Sequence, residues 1–293
     1  MATTTSQSQS QSQHPPDPDP SPEPNPDTTN PPLDSQISHT HQLSYWSSQT
    51  ADITGMLGGY PQVSRIDLQA SKNFIAKVRR LSRQSPSQDT HASSSNNGKS
   101  PATPIRPAPK KLNLALDCGA GIGRITSGLL LNVAHTVDIV EPVPKFTDVL
   151  SQLKPSPDQG KVGQIFNVGL ESWSPPADRK YDLVWVQWCL GHLTDKQAVM
   201  FLKLAAGSLA GYDEGDGDEG EGEAQGWIMV KENLSTDEWG EDLFDDVDSS
   251  VTRSDQKFKQ LFEEAGLKIV RSDVQSGFPK SLYPVRMYAL RPK

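Results

Sequence analysis

The sequence has few cysteines and no long apolar segment. Two cysteines in 293 residues are too few for a disulfide framework or a cysteine-based metal site, so we expect no metal. No apolar run approaches the roughly 18 residues of a membrane span, and the first thirty residues lack the apolar core of a secretory signal. These absences predict a soluble protein of a reducing compartment, the cytoplasm, with entry into the nucleus left open.

The sequence also lacks a dense basic stripe. The formal charge is -8, but seven acids lie in residues 211–225 and five in the first forty residues, without a lysine or arginine in either stretch. Removing these twelve from the 36 acidic residues leaves 24, against 28 basic ones. The remainder is mildly positive without clustering, which argues against direct nucleic-acid binding. We interpret residues 211–225 as a solvated acidic loop, with attraction of basic partners as the alternative.

Low-complexity stretches divide the chain into four parts. Residues 1–40 carry Gln/Ser repeats and Pro-Asp-Pro-Asp-Pro, and residues 82–110 are rich in serine and scattered proline. Both lack the apolar content that offsets ordering entropy, so we predict a disordered tail and a disordered insertion. Residues 41–81 are predicted to form a helical segment, either a lid or a helix packed on the core. Residues 111–293 are predicted to form the main domain.

The helix of the N-terminal segment is predicted from its periodicity. Ile66, Ala70, Phe74 and Val78 recur at four-residue intervals, which is typical of an amphipathic helix. Ser64 and Asp67 are the candidate caps.

A glycine-rich stretch follows the first predicted strand and is the centre of the sequence. The apolar residues of 112–118 indicate a buried strand, and Gly119, Gly121 and Gly123 follow where the chain must turn into a helix. Such a loop brings backbone N–H groups close to a nucleotide, and glycine keeps that approach open. The stretch therefore predicts a strand-loop-helix nucleotide site.

The glycine spacing narrows the choice of nucleotide ligand. The sixth position counted from Gly119 is Arg124, so the dinucleotide fingerprint G-x-G-x-x-G is incomplete, and no phosphate-binding G-K-[ST] is present. The pattern D-x-G-x-G-x-G resembles the first motif of class I S-adenosylmethionine-dependent methyltransferases. On spacing alone, a dinucleotide site and a purely structural turn remain the alternatives.

Strands and helices alternate from residue 112 onward, which predicts a doubly wound α/β fold. The second strand closes at Glu141, eighteen residues past Gly123, where such folds place an acidic residue that binds ribose hydroxyls. A fourth strand, predicted to be buried on both faces, ends at Gln187 and Trp188. Because ligands lie at the carboxyl ends of such strands, these residues are site candidates.

The residues after the fourth and fifth strands are the candidates for the acceptor side of a reaction. They are Trp188, His192, Asn233, Asp245 and Asp248. An amine acceptor must be unprotonated to attack, and a carboxylate or imidazole can take its proton, as Asp248 or His192 could. A structural histidine, a solvated aspartate loop and a tryptophan that closes the core are the alternative interpretations.

Five stretches of the sequence together carry a resemblance to one family. They are Tyr45-Trp46, residues 55–60 (Gly-Met-Leu-Gly-Gly-Tyr), residues 116–126 (Leu-Asp-Cys-Gly-Ala-Gly-Ile-Gly-Arg-Ile-Thr), Gln187-Trp188 with residues 191–195 (Gly-His-Leu-Thr-Asp), and residues 245–251 (Asp-Asp-Val-Asp-Ser-Ser-Val). In this order they resemble the eukaryotic protein N-terminal methyltransferases, and the resemblance covers the chain from about Tyr45 to Leu290 apart from the two low-complexity insertions.

The resemblance implies a seven-stranded Rossmann-like methyltransferase sheet, with an N-terminal helical extension and an insertion after strand five that covers the substrate site. The implied cofactor is S-adenosylmethionine. Six residues would bind it: Gly119 and Arg124 at the methionyl end, Glu141 at the ribose, Leu170 and Glu171 at the adenine, and Gln187 near the methyl group. The family usually has aspartate where Glu141 stands and glutamine where Glu171 stands.

The resemblance also implies the substrate, a protein N-terminus of the type X-Pro-Lys after removal of Met. Asp248 and His192 would orient and deprotonate the α-amine. The other implied substrate contacts are Trp188 on the second-position proline, Asn233 on the peptide backbone, Asp245 on the third-position lysine, and Leu57, Gly58 and Tyr283 along the peptide channel.

We therefore expect an α-N-methyltransferase of protein N-termini that works as a monomer or weak dimer, without nucleic acid or membrane partners. Two alternatives stay open. One keeps the cofactor and methylates a small-molecule amine or carboxylate, and the other is a non-catalytic binding module. The physiological substrates and the number of methyl groups added are not predicted.

Overall fold

A computed structural model of the protein describes residues 31–81, 110–211 and 226–293. Seven strands form one sheet in the order β3-β2-β1-β4-β5-β9-β8. They are β1 (Leu112–Cys118), β2 (Ala134–Val140), β3 (Lys161–Phe166), β4 (Leu183–Gln187), β5 (Trp227–Asn233), β8 (Leu267–Val274) and β9 (Val285–Pro292). Strands β6 (Leu243–Asp245) and β7 (Ser250–Thr252) form a separate hairpin. The predicted seven-stranded Rossmann-like sheet is confirmed.

Strand direction explains where a ligand can bind. Strands β1 to β5 pair in parallel, while β9 runs antiparallel between β5 and β8. The order reverses at β1, which has β2 on one side and β4 on the other. At such a switch point, the loops that leave two neighbouring parallel strands diverge and open a crevice. Here those loops are the glycine-rich stretch after β1 and the loop after β4.

The helices lie before and between the strands. They are α1 (His39–Ser48), α2 (Ile53–Met56), α3 (Ser64–Leu81), α4 (Leu131–Val133), α5 (Pro144–Ser151), α6 (Asp195–Gly207) and α7 (Asp255–Glu264). A π-helix (Thr126–Leu130) directly precedes α4, and 3₁₀ turns occupy Leu33–Gln36, Pro61–Val63 and Leu190–His192.

The core lies on both faces of the sheet. All five residues of β4 are buried, as its continuous apolar run predicts for a central parallel strand. On one face, Phe74, Ile75 and Val78 of α3 pack in the same cluster as Trp185 and Met287. On the other face, α6 and α7 cover the sheet. Helix α3 is thus part of the core.

Two details of α3 differ from the sequence-based prediction. The buried face contains Asp67, Ser71, Phe74, Ile75 and Val78, whereas the predicted face residue Ile66 is 42% exposed. Asp67 does not cap the helix, because it lies inside the helix and is fully buried in a group of charged residues. The four-residue spacing detected the helix but not a polar stripe on its inner face.

The predicted tail and insertions fall mostly outside the described residues. This holds for residues 1–30 of the tail, 82–109 of the insertion and 212–225 of the acidic loop. Within the predicted tail, Leu33–Gln36 form a 3₁₀ turn and α1 begins at His39. Asp34 Oδ2 accepts a hydrogen bond of 2.8 Å from the backbone N–H of Asp195, at the start of α6, which holds this segment on the domain. In the parts of the chain that the structure covers, no helix is long and apolar enough to cross a membrane.

Candidate active site

A cavity of about 190 Å³ opens at the switch point of the sheet. Its walls come from the glycine-rich loop, the ends of β2, β3 and β4, and helix α1 with Met56 of α2. Eight of the predicted site residues line it together: Gly119, Arg124, Glu141, Leu170, Glu171, Gln187, Trp188 and His192. The whole predicted cofactor set and two predicted acceptor-side residues therefore share one cavity.

The glycine loop needs glycine for both conformation and space. Gly119 and Gly121 have φ values of 64° and 55°, in the left-handed region that side chains disfavour. A Cβ on Gly121 would stand 2.6 Å from Met56 Sδ, and one on Gly119 would stand 2.7 Å from Cys189 Cβ. The loop is thus packed directly against the N-terminal segment and the loop after β4.

Glu141 closes the cofactor wall beside this loop. Its Oε2 accepts from the N–H of Gly121 at 2.7 Å and its Oε1 from the N–H of Val143 at 2.9 Å. The side chain is buried, and burial raises the pKa of its carboxyl to about 7 despite these hydrogen bonds. Each oxygen keeps a second lone pair, so Glu141 can still accept hydrogen bonds from a ligand hydroxyl.

Asp117, which opens the D-x-G-x-G-x-G pattern, does not line the cavity. Its Oδ2 accepts a 2.6 Å hydrogen bond from Thr126 Oγ1 at the start of the π-helix. Burial raises its pKa to about 7. This carboxyl group therefore fixes the turn from strand to helix from behind the loop.

A buried ionic cluster underlies the methionyl end predicted for the cofactor. Asp67 of α3 contacts Arg124 Nη1 at 2.6 Å and Lys231 Nζ at 2.5 Å. Gln187 Nε2 donates to both carboxylate oxygens of Asp67 at 3.1 Å. Burial opposes the charge on Asp67, but Lys231 and Arg124 outweigh it and lower the pKa of this carboxyl. One carboxylate from the N-terminal segment thus holds two predicted cofactor ligands, Arg124 and Gln187.

The loop after β3 forms the opposite end of the cavity. Leu170 is buried against the main core, whereas Glu171 is exposed. The carboxylate of Glu171 folds over Gly169, where an added Cβ would stand 2.1 Å from Oε2. Leu170 therefore offers an apolar surface for a planar ring and Glu171 a hydrogen-bond acceptor at its edge.

Trp188 lines the cavity between its predicted cofactor residues and its predicted acceptor-side residue, His192. It is a non-glycine residue with a φ of 55°, a conformation that costs roughly 1–3 kcal/mol and needs support from its surroundings. Glu232 gives that support, since its Oε1 accepts from the N–H groups of Cys189 at 2.9 Å and Leu190 at 3.0 Å. The guanidinium of Arg124 lies 5.3 Å from the centre of the Trp188 ring. The indole Nε1 is buried without a partner in the described parts of the chain.

His192 is held by two residues of α1. Trp46 Nε1 donates to His192 Nε2 at 3.1 Å, and Gln42 Nε2 donates to the His192 carbonyl at 3.0 Å. Gln42 also donates to the carbonyl of Ser249 at 2.7 Å, which joins the His192 loop to the β6–β7 hairpin. Burial lowers the pKa of His192, against the opposing effect of the Asp248 carboxylate.

The hairpin places the predicted aspartates beside this loop. Asp248 is half-buried and does not line the cavity, but its Oδ1 is buried without a partner among residues 31–81, 110–211 and 226–293. Asp245 is exposed, and its Oδ1 accepts from the N–H of Val247 at 2.9 Å. Burial raises the pKa of Tyr45 in α1, and the carboxylates of Asp248 and Asp245 raise it further. Both carboxylates therefore lie near α1.

Besides Asp245 and Asp248, four further predicted substrate residues lie away from the cavity lining. Asn233 is half-buried at the end of β5, Leu57 and Gly58 follow α2, and Tyr283 is 41% exposed before β9. The structure does not join them to the eight lining residues. Their assignment to a peptide channel remains a prediction.

A family model for AdoMet-dependent proline di-methyltransferases matches residues 34–291. The chain belongs to this methyltransferase family. It is 38% identical over 250 residues to alpha N-terminal protein methyltransferase 1 of Drosophila melanogaster, covering 85% of this chain and 74% of the relative. It is 36% identical over 250 residues to the N-terminal Xaa-Pro-Lys N-methyltransferase 1 of Xenopus tropicalis, covering 84% and 92%.

A solved structure supports the same assignment. A SAM-dependent methyltransferase of Leishmania major is 32% identical, with a TM-score of 0.64, and the match covers 86% of this chain and 82% of that one. S-adenosylmethionine is the cofactor of the family, as the sequence resemblance predicted. The residues of this methyltransferase fit that molecule: Gly119 and Gly121 line the cavity without side chains, and Glu141 has lone pairs free for hydroxyl groups.

Sequence reasoning missed several residues that position this methyltransferase site. Asp67 was interpreted as a helix cap, and Lys231, Glu232 and Gln42 received no role. Trp46 appeared in a matching stretch without an assigned task. A buried charge between apolar strand residues, as in Lys231-Glu232 after residues 227–230, is the one signal in the sequence that could have found some of them.

Proposed function

We propose that this methyltransferase transfers methyl groups from S-adenosylmethionine to the α-amino group of proteins that begin, after removal of Met, with X-Pro-Lys. The names of the relatives support the substrate class. The observation that carries the proposal is the pair of buried orphan atoms beside the cavity, Trp188 Nε1 and Asp248 Oδ1, neither bonded within the described residues. One is a donor and the other an acceptor, as a peptide terminus requires.

One set of residues would bind the cofactor, and another set would bind the substrate. When bound, S-adenosylmethionine supplies a methyl group already activated on a sulfonium. Arg124 would hold its carboxylate and Glu141 its ribose hydroxyls, since both are fixed in place by other residues of the chain. Positioning of this kind is the main task of the protein, because an activated donor needs chiefly an aligned and unprotonated acceptor.

Trp188 and the aspartates would receive the peptide. The face of the Trp188 ring is suited to stacking on a proline, and its rigid loop fixes where that proline lies. Asp248 would accept from the α-ammonium and Asp245, on the exposed side of the hairpin, would favour the third-position lysine. Asn233, Leu57, Gly58 and Tyr283 would guide the rest of the peptide.

Mass spectrometry of a peptide incubation tests the proposal. The full chain with S-adenosylmethionine should add successive methyl groups to a Ser-Pro-Lys peptide, but none to its N-acetylated form and few to a Ser-Ala-Lys peptide. A small-molecule methyltransferase would not depend on the proline, and a binding module would transfer nothing. Methylation of the acetylated peptide, or none of the free one, would overturn the proposal.

A matched pair of tryptophan variants locates the proline contact. Trp188→Ala should lose most of the preference for proline, because the stacking surface is removed. Trp239→Ala serves as the control, since Trp239 is 81% exposed in the segment before β6. Equal proline preference in both variants would separate Trp188 from substrate recognition.

We also propose that the protein acts in the cytoplasm, with entry into the nucleus left open, as a monomer or weak dimer without nucleic acid or membrane partners. Both cysteines are free and buried, which suits a reducing compartment. Imaging of the tagged full chain and light scattering of the purified protein test the two parts of this proposal.

A further inference from the structure

The contact between Trp46 and His192 determines which nitrogen of the histidine can carry a proton. Trp46 Nε1 lies 3.1 Å from His192 Nε2, and the two rings are perpendicular with centroids 5.8 Å apart. An indole N–H can only donate a hydrogen bond. His192 Nε2 must therefore be the acceptor and carry no proton.

The proton of the neutral imidazole then lies on Nδ1, because a neutral histidine has one protonated and one unprotonated ring nitrogen. Nδ1 is buried and has no hydrogen-bond partner in the described chain. The charged groups that act on the ring are Asp248 from the hairpin and His39 from α1. Burial, together with His39, favours the neutral ring and Asp248 opposes it.

The histidine cannot easily turn to exchange its nitrogens. Gln42, on the same helix as Trp46, holds the His192 carbonyl at 3.0 Å and the Ser249 carbonyl at 2.7 Å. Arg253 Nη1 and Nη2 donate to the carbonyls of Leu190 at 2.8 Å and Leu193 at 2.6 Å, on both sides of His192. The loop is thus fixed from α1 and from the hairpin, and Trp46 fixes the ring.

We propose that Trp46 is a positioning residue that holds His192 as the Nδ1–H tautomer, so that His192 donates a hydrogen bond in the acceptor site and Asp248 alone receives the proton of the α-ammonium. This inference rests on the proposed function and assigns separate tasks to two residues that the sequence placed together. An α-ammonium offers three N–H donors and no acceptor, so it cannot bond to Nδ1–H. The orphan Oδ1 of Asp248 can accept from it.

The proton transfer is balanced within these groups. One N–H bond of the α-ammonium breaks, its electron pair stays on nitrogen, and the proton passes to an Asp248 carboxylate oxygen and from there to solvent. His192 Nδ1–H then donates to Asp248 or to a peptide carbonyl. His192, which the family resemblance implies as a base, is thus assigned the role of hydrogen-bond donor.

Nitrogen NMR of the full chain labelled with ¹⁵N-histidine tests the tautomer without any turnover. The six histidines of the chain can be told apart by comparison with His192→Asn. We expect a pyrrole-type signal for His192 Nδ1 and a pyridine-type signal for Nε2, and a change toward mixed tautomers in Trp46→Phe. A pyrrole-type Nε2 in the unaltered protein would overturn the proposal, even if the peptide is methylated as proposed.

Two isosteric variants test the role of the nitrogen in turnover. Asparagine places an amide N–H near the position of Nδ1, whereas glutamine places its amide near that of Nε2. His192→Asn should keep kcat within about tenfold of the unaltered enzyme, and the kcat of His192→Gln should fall by about a hundredfold or more, the scale of a lost hydrogen-bond donor in an active site. Equal losses in the two variants would show that Nδ1–H donation is not what His192 supplies.

A matched tryptophan control separates the hydrogen bond from packing. Trp46→Phe should lower kcat while the affinity for S-adenosylmethionine stays within about twofold, because only the acceptor side changes. Trp173→Phe also removes a buried indole N–H, but that N–H has no partner among the described residues and lies outside the cavity lining. A kcat that falls equally in both variants would assign the effect to packing and overturn the role of Trp46. If the unaltered enzyme does not methylate the peptide, the proposed function is refuted, but the NMR test of the tautomer is unaffected.

Discussion

The cofactor half and the acceptor half of the cavity differ in how far their polar groups are already bonded. In the cofactor half, Glu141 accepts two backbone hydrogen bonds, and Arg124 and Gln187 both bind Asp67. In the acceptor half, Trp188 Nε1 and His192 Nδ1 are buried without partners in the described parts of the chain, as is Oδ1 of Asp248, which lies outside the cavity lining. Unbonded buried polar atoms cost free energy, so this half is stabilised when a substrate supplies the missing bonds.

This difference separates the tasks of folding and binding. The cofactor half is arranged by the fold itself, which lowers the ordering cost of cofactor binding. The acceptor half is completed by the peptide, so that a terminus lacking the right donors and acceptors leaves the orphan atoms unbonded. A site of that kind rejects wrong substrates more strongly than an apolar pocket does.

The largest expected effect comes from removing the orphan carboxylate of the acceptor half. Asp248→Asn should lower kcat on the Ser-Pro-Lys peptide by about 10²–10⁴-fold, the range of a lost general base. The affinity for S-adenosylmethionine should be unchanged, because Asp248 does not line the cavity. Peptide kinetics and calorimetric titration measure the two quantities.

The neighbouring aspartate provides the control. Asp246 is exposed on the same hairpin turn, so Asp246→Asn removes the same charge without touching the buried oxygen. If the two variants lose activity equally, the general charge of the hairpin matters and the orphan atom does not. If Asp248→Asn weakens cofactor binding, the two halves are not separable as described.

The same comparison explains what the sequence could predict. The cofactor half follows from short-range signals, since the glycine spacing and the position of Glu141 lie within one strand-loop-helix-strand unit. The acceptor half depends on long-range contacts. Trp46 and His192 are 146 residues apart. The cofactor half has a contact of the same kind, since Asp67 is 120 residues from Gln187. No periodicity records such a pairing, so their positions came only from the family resemblance or were missed.

The β6–β7 hairpin shows a second limit of sequence reasoning. Its strands have three residues each, too few for alternation to be detected, and the segment is predicted only as an insertion after strand five. The π-helix after the glycine loop was likewise predicted only as a helix. The polar face of α3 was misplaced because a buried aspartate and serine look like surface residues until their partners are known.

The second-largest effect should come from the carboxylate that organises the cofactor half. Asp67→Asn leaves Arg124 and Lys231 buried without a counter-charge, and breaking such a buried pair costs about 3–5 kcal/mol of unfolding free energy. Cofactor affinity should fall as well, since Arg124 and Gln187 lose their common partner. Denaturant unfolding and calorimetric titration measure these losses.

An exposed ion pair on the same helix is the control for Asp67. Lys77 of α3 and Asp273 of β8 are 2.7 Å apart, with side-chain exposures of 48% and 16%. Asp273→Asn should cost no more than about 1 kcal/mol and leave cofactor affinity unchanged, because solvent screens surface pairs. Comparable losses of unfolding free energy and cofactor affinity in both variants would mean that any ion pair that attaches α3 to the domain is sufficient. The buried cluster around Asp67 would then have no specific role in cofactor binding.

The smallest expected effect is the pH dependence of cofactor binding through Glu141. Burial raises the pKa of this carboxyl to about 7, and the ionised form is the better acceptor for ribose hydroxyls. Affinity for S-adenosylmethionine should therefore fall as pH falls through that value, by up to about tenfold per pH unit below it. Glu141→Gln should bind more weakly and without this dependence in a calorimetric series.

The buried carboxyl of Glu232 provides a comparison for this pH series. Burial also raises its pKa to about 7, but it bonds the loop after β4 and does not line the cavity. Glu232→Gln should keep the pH dependence of cofactor affinity that Glu141→Gln loses. If instead Glu232→Gln removes the pH dependence of cofactor affinity, then Glu232, and not Glu141, takes up the proton. Cofactor binding would then be coupled to the loop of Trp188 and His192, and the cofactor half would not be independent of the acceptor half.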